Sequence, residues 1–236
     1  SMVLQGWLFR FGFGRKILPP PHYPDLLKEL KRTEGTDRIV QESSGIISSV
    51  LISPNIKSIV DIPPLADYEK RMFGIGQASM KVTVLQVANA MAALSRGGIY
   101  KAPRLFLSGS EDKKKRQVYL GVSRATLDVM RDGMKAVVYE DGGTAYNAFK
   151  KDKHILEARK IKVFGKTGST QQPYNAWFAG FAEDLSGRAI AFAIVVKGGE
   201  SGSQVAAPKG LEIIKICSEM DYIGLDPKRI KMANSR

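Results

Sequence analysis

Val163-Phe164-Gly165-Lys166-Thr167-Gly168-Ser169-Thr170 is the stretch on which the reading of this chain turns. Two apolar residues lead into a lysine and a threonine held between two glycines. The chain becomes apolar and aromatic again at Asn175-Ala176-Trp177-Phe178-Ala179-Gly180-Phe181, and once more at Ala189-Ile190-Ala191-Phe192-Ala193-Ile194-Val195-Val196. Short runs rich in β-branched and aromatic residues, divided by Gly, Pro, Asn and Asp, read as adjacent antiparallel strands. Lys166 and Thr167 then lie on the first of three strands, with no room for a helix behind them.

A nucleotide-binding P-loop would also end in Gly-Lys-Thr, but its pattern needs a glycine five residues earlier, where this chain has Lys160. Such a loop must also open a helix whose N-terminal N–H groups hold phosphate. Gly168 and Pro173 follow instead, and the next apolar run is a strand. On a strand edge the tripeptide offers a fixed positive charge, a hydroxyl and a bare stretch of backbone. Gly168 lets another backbone approach closely. Lys166 and Thr167 can receive a carboxylate, and the N–H of Ser169 can point at a developing oxyanion.

Outward from this centre the chain alternates with helices. Residues 5–18 begin apolar and end in Phe11-Gly12-Phe13-Gly14-Arg15-Lys16, which reads as a helix C-terminus and turn, since no third glycine follows at dinucleotide spacing. Asp25 to Arg32 reads as a short amphipathic helix. Residues 41–72 are the least legible part, a divergent insertion, a lid or a pair of edge strands. Thr83 and Gln86 form a capping box that opens a helix with Val84, Val87, Ala88, Met91 and Leu94 on one face, closed by Gly97-Gly98. The lack of charge from Val82 to Ser95 predicts burial on most sides. A second helix runs from about Ser123, with Leu127, Met130, Met134 and Val137 inward, and ends before Asp141-Gly142-Gly143-Thr144-Ala145. Gly198 to Ser203 reads as a flexible loop, and a last helix from about Ala206 carries Leu211, Ile214 and Cys217 inward. Helices packed on an antiparallel sheet make an α+β fold.

The 236 residues suit one large domain, and 44% hydrophobic with 25% charged residues is ordinary for a folded protein. No apolar run is long enough for a transmembrane helix, and Arg10 and Arg15 interrupt the first apolar segment, against a secretory signal. Ser1-Met2 reads as a cloning remnant before a start methionine. The net charge of +13 comes from clusters at Lys113 to Arg116, Lys150 to Lys162 and a basic tail over 223–236. None is interleaved with aromatics as stacking on nucleic acid requires, so nucleic acid is not expected as a partner. One cysteine, Cys217, excludes an internal disulfide and reads as a structural thiol. With two histidines, His22 and His154, it leaves no pattern for a metal site. No cofactor is expected.

Taken together, Phe11-Gly12-Phe13-Gly14, Ile75-Gly76-Gln77, Val82 to Ala88, Lys166-Thr167-Gly168-Ser169-Thr170-Gln171 and Ala176-Trp177-Phe178-Ala179-Gly180-Phe181 resemble, in order and spacing, the transpeptidase domains of penicillin-binding proteins. The similarity covers most of residues 8–220, with 17–72 divergent, and the helix after Ala206-Ala207-Pro208 shares in it. Ala78 stands where a glycine is usual, and Val84 where a proline is. The family's two other motifs, S-x-x-K with the nucleophilic serine and S-x-N, normally precede the F-G-F-G segment. Here about ten residues do. Ser110-Glu111-Asp112-Lys113 and Ser53-Pro54-Asn55 fit those patterns in letters only, in the wrong order and outside any buried helix.

The resemblance implies part of the serine β-lactamase/transpeptidase fold over 3–222, the C-terminal part of its domain. It implies Lys166 and Ser169 as catalytic residues, and Thr167, Gly168 and Ser169 as substrate-binding ones. The partner it implies is a peptidoglycan stem peptide or a β-lactam, at the extracytoplasmic face of a bacterial inner membrane, with a membrane anchor in a preceding segment. The nucleophile is expected outside this chain, which alone is expected to be inactive. A truncated, non-catalytic module that binds peptidoglycan peptides or a protein partner is the alternative. An uncovered sheet face would favour self-association.

Overall fold

The computed structural model describes residues 2–17, 42–49, 58–104 and 117–225. The amphipathic segment at 25–32, both letter-only motifs (Ser53 to Asn55, Ser110 to Lys113) and the basic clusters at 113–116 and 228–231 lie outside them. The described residues up to Gln86, with 101–104 and 117–118, form one compact unit; 87–100 with 119–225 form a second.

In the first unit, helix α1 (Met2–Arg10) stops where Gly12 and Gly14 take positive φ, 96° and 72°. Only glycine enters that region without a steric penalty. A Cβ on Gly14 would also lie 2.5 Å from the Ile47 side chain, so Phe11 to Gly14 form a tight stop, as the sequence predicts. The Gln86 amide holds this turn. Its Nε2 donates to the carbonyls of Gly12 (3.1 Å), Arg15 (3.0 Å) and Ser44 (2.8 Å), while its Oε1 accepts from Thr83 N–H (2.9 Å). The Gln86 N–H donates to Thr83 Oγ1 at 3.1 Å, completing the expected capping box. Ile47, Ile62, Leu65 and Phe73 form the apolar core here, with Leu4, Leu8, Phe9 and Phe13 against it. Phe73 closes the short helix α2 (Asp67–Phe73).

Helix α3 (Val84–Ser95) begins and ends where the sequence places it, with Gly97 and Gly98 both at positive φ. Its buried face differs from expectation. Gln86, Asn89, Ala90 and Ala93 are buried, whereas Val84 is exposed and Val87, Ala88, Met91 and Leu94 are half-buried. The polar Gln86 turns inward because backbone carbonyls await it there; hydrophobic periodicity does not record such a contact.

The second unit carries the sheet. Two short strands, β1 (Ile99–Lys101) and β2 (Gln117–Tyr119), pair with each other. Ser123 then caps α4 (Arg124–Tyr139), its Oγ accepting from Thr126 N–H at 3.1 Å. Two short helices, α5 (Tyr146–Phe149) and α6 (Lys153–Ala158), lead to β3 (Ile161–Thr170), β4 (Asn175–Asp184) and β5 (Ala189–Lys197). These pair antiparallel in the order β3-β4-β5, the meander read from the sequence, with Lys166 opposite Ala179 and Gly168 opposite Trp177. The last helix is α7 (Ala207–Glu219); it buries Leu211 and Ile214, and Cys217 is half-buried. The Lys150 to Lys162 cluster projects Lys150, Lys151, Lys153, Lys160 and Lys162 into solvent.

Alternation along the strands divides the sheet into two faces. On one, Ile161, Val163, Ala176, Phe178, Ala182 and Phe192 pack with Leu211 and Ile214 of α7 and Phe149 of α5. Phe178 is the centre of this core, its ring 5.7 Å from Phe149 and 5.3 Å from Phe192. Glycines make room for it: a Cβ on Gly165 would lie 2.6 Å from the ring, and one on Gly210 2.4 Å. On the other face Phe164 and Phe181 stack 4.8 Å apart against Met134. Arg131 lies over both rings and pairs with Glu183.

At the far end, the buried Asp184 carboxylate joins the β4–β5 turn to the residues after α7. It accepts from Ser186 N–H (2.8 Å), the Ser186 hydroxyl (2.5 Å), Gly224 N–H (2.8 Å) and the Arg188 guanidinium (3.0 Å). Burial works against its charge, but the bonds from Ser186, Gly224 and Arg188 outweigh that and hold its pKa at about 2. Among the described residues no helix is long and apolar enough to cross a membrane.

Candidate functional site

Lys166, Thr167, Gly168 and Ser169 occupy the C-terminal half of β3, which borders the three-stranded sheet. The ladder fixes which way each backbone group points. Val163 N–H donates not to β4 but to the Tyr139 hydroxyl, at 3.0 Å, on the outer side of the strand. N–H groups alternate sides along an antiparallel strand, and the β3–β4 register is unbroken from Ile161 to Thr170. Ser169 N–H, six residues on, therefore points to the same outer side as Val163 N–H. Burial pushes the Tyr139 phenol above its ordinary pKa, outweighing the opposing effect of the Val163 N–H bond, so it is a neutral partner for the strand edge.

Side chains alternate too. Lys166 is exposed on the Phe164 face, and its Nζ donates to the Thr167 carbonyl at 2.6 Å. Thr167 points the other way, toward the helix-covered face, and is 9% exposed. The lysine charge and the threonine hydroxyl thus flank one strand edge from opposite faces. Ser169 is exposed at the end of the same row as Thr167, and its Oγ accepts from Gly202 N–H at 3.0 Å. Gly168 has open backbone on its Lys166 side, apart from Trp177 Cβ, which an added Cβ would meet at 3.4 Å.

Two flanking segments complete the site, and sequence patterns did not single out either. The first is Asp141 to Ala145, which puts the Thr144 hydroxyl 2.7 Å from that of Thr167. The second is Gly202–Ala206, whose Gly202 and Ser203 the sequence places in a flexible loop but which folds as a single π turn leading directly into α7, with Ser201 Oγ accepting from Gln204 N–H. Gly202 is fully packed: a Cβ there would lie 2.3 Å from the Gly168 carbonyl oxygen and 2.6 Å from that of Trp177. The reason for the difference is this direct backbone approach, for which a run of Gly and Ser is as well suited as it is for flexibility.

Chemically, the arrangement combines an ammonium, a hydroxyl, and an outward main-chain N–H along one extended edge. It is suited to an extended anionic ligand laid beside the strand. Among the described residues no three His, Cys, Asp or Glu side chains gather to hold a metal ion.

The penicillin binding protein transpeptidase domain family matches residues 51–215, well over half of the chain and all of β3 to β5. The chain belongs to this family. Solved structures agree on the fold of the transpeptidase domain. The penicillin-binding protein PBP2 of Helicobacter pylori, solved in complex with MreC, is 21% identical with a TM-score of 0.58, over 93% of this chain and 36% of that one. Penicillin-binding protein A from M. tuberculosis, solved as an acyl-enzyme complex, is 20% identical with a TM-score of 0.53, over 91% and 43%. A peptidoglycan glycosyltransferase from Burkholderia ambifaria is 17% identical with a TM-score of 0.53, over 89% and 56%. This transpeptidase domain chain therefore spans between about a third and somewhat over half of the length of these structures. No curated protein sequence matches it.

Proposed function

We propose that this chain is the C-terminal, substrate-clamping portion of a penicillin-binding D,D-transpeptidase, spanning 3–222 of these residues with a divergent segment at 41–72 and a basic tail. The observation that carries the reading is the β3 edge: Lys166, Thr167 and Ser169 N–H lie along one extended strand, charge on one face and hydroxyl on the other. In this reading Thr167 and Ser169 hold the terminal carboxylate of a D-alanyl-D-alanine stem peptide or of a β-lactam. Gly168 gives the peptide backbone room, and Lys166 supplies positive field. Ser169 N–H is one donor of the oxyanion hole; losing such a donor typically costs ~3 kcal/mol of transition-state stabilisation.

The acylating serine belongs to chain outside these 236 residues. In support, the family's S-x-x-K and S-x-N motifs precede F-G-F-G, which here begins at Phe11. The parent protein would work at the outer face of a bacterial inner membrane. An acyl-enzyme splits one difficult acyl transfer into two easier ones, and without its nucleophile neither proceeds.

The test has two parts. Incubation of the chain with a fluorescent penicillin and a denaturing gel is expected to give no labelled band. Titration of the ¹⁵N-labelled chain with N-acetyl-D-alanyl-D-alanine is expected to move the amide signals of Lys166 to Ser169 saturably. A labelled band overturns the missing nucleophile; a titration that leaves those four amides unmoved overturns the clamp.

A further inference from the structure

The loop after α4 is built to hold one hydroxyl in place. Gly143 N–H donates to the Glu140 carbonyl at 2.9 Å, Ala145 N–H to the Val137 carbonyl at 2.9 Å, and Tyr146 N–H to the Gly143 carbonyl at 2.9 Å. Any side chain at Gly143 would meet the Ala136 carbonyl oxygen at 2.4 Å and that of Val137 at 2.7 Å, so the loop lies directly on the end of the helix. Ala145 is fully buried, while Thr144, between these anchors, is exposed. Its Oγ1 lies 2.7 Å from Thr167 Oγ1, and among the described residues neither hydroxyl has another side-chain hydrogen-bond partner.

Each hydroxyl has one proton to donate and two lone pairs. Across a 2.7 Å contact only one of the two protons can lie between the oxygens. If Thr167 donates to Thr144, a lone pair of Thr167 faces an incoming carboxylate and repels it. If Thr144 donates, the Thr167 proton is released toward the anion, and the two bonds polarise each other in series.

We infer that Thr144 is a positioning residue: it donates to Thr167 and so makes Thr167 a proton donor selective for an anionic peptide end over a neutral one. This rests on the clamp reading above. Thr144 need not touch the ligand; it acts by deciding the direction of a neighbouring hydroxyl.

The experiment compares two probes, N-acetyl-D-alanyl-D-alanine and its C-terminal carboxamide, by NMR titration of the full chain as wild type, Thr144→Val and Thr144→Ser. Wild type is expected to prefer the acid. Thr144→Val should weaken acid binding about threefold, the cost of fixing again a hydroxyl freed among three staggered positions, and leave the carboxamide unchanged. Thr144→Ser should restore the preference. If Thr144→Val does not fold, Thr144→Ala is read in the same way. A merely structural role would weaken both probes alike and would not be rescued by serine, and that result overturns the inference, as does an unchanged acid affinity. Wild type that binds neither probe at Lys166 to Ser169 overturns the clamp reading as well, which separates the two failures.

Discussion

Gly202→Ala tests whether the turn before α7 supports the candidate site. The new Cβ would lie 2.3 Å from the Gly168 carbonyl oxygen, 2.6 Å from the Trp177 carbonyl oxygen and 2.9 Å from Gly168 N. All three are backbone atoms of the paired strands β3 and β4, so none can rotate away. Real Cβ atoms do not come nearer than 3.0 Å, so the turn must retreat by about 0.7 Å. That movement stretches the 3.0 Å bond from Gly202 N–H to Ser169 Oγ beyond hydrogen-bonding reach. Overpacking of this kind costs typically ~1–3 kcal/mol, and the lost bond adds roughly 1 kcal/mol. A total of about 2–4 kcal/mol in a chain of this size lowers Tm by roughly 5–12 °C. Calorimetry measures the drop, and ¹⁵N spectra should place the largest amide shifts at Gly168, Ser169 and Trp177. A Gly202→Ala chain that melts within 1 °C of wild type, with those amides unmoved, would refute the reasoning, because the turn would then have slack that the contacts deny.

Gly133→Ala serves as the opposite case. Gly133 lies inside α4 with nothing within 4 Å of its would-be Cβ, so alanine should stabilise the chain by about 0.5–1 kcal/mol through helix propensity alone; a fall in Tm in the same calorimetry argues against an unstrained helix there. Asp184→Asn should destabilise the chain in a pH-dependent way. The folded pKa of Asp184, about 2, lies below the unfolded 3.8, so its carboxylate contributes stability fully above about pH 4 and loses that contribution as pH falls from 4 toward 2. With the side chain wholly buried, the contribution is on the order of 2 kcal/mol. Urea melts of both proteins from pH 7 to 2.5 should show the gap between them narrowing below pH 4. A gap of constant size across that range would mean that the charge contributes nothing.

Much of the local structure of both units is legible in the sequence, for an identifiable reason. Strand alternation, the capping box of Thr83 and Gln86, the helix start near Ser123 and the glycine stops at Gly12, Gly14, Gly97 and Gly98 are all local, set by residues within a few positions of the groups they satisfy. Face assignments were legible where apolar packing decides them: Leu127 and Met134 of α4 turn inward as periodicity predicts, while α3 buries Gln86 and Asn89 and leaves Val84 outside. An amide buried for three carbonyls leaves no hydrophobic trace in the sequence.

The site divides along the same line. Residues 163–170 by themselves determined that a lysine, a hydroxyl and a glycine would sit on one strand of an antiparallel sheet, because strand propensity and period-two spacing are properties of consecutive residues. What approaches that strand was decided only in three dimensions. Thr144, 23 residues upstream, reaches Thr167, and Gly202, 33 residues downstream, reaches Ser169. Both contacts join segments distant in the chain, and both depend on glycines, Gly143 and Gly202, chosen for the atoms they must not touch. A glycine in a sequence carries no record of whether its missing side chain makes room for motion or for a neighbour; packing alone distinguishes the two.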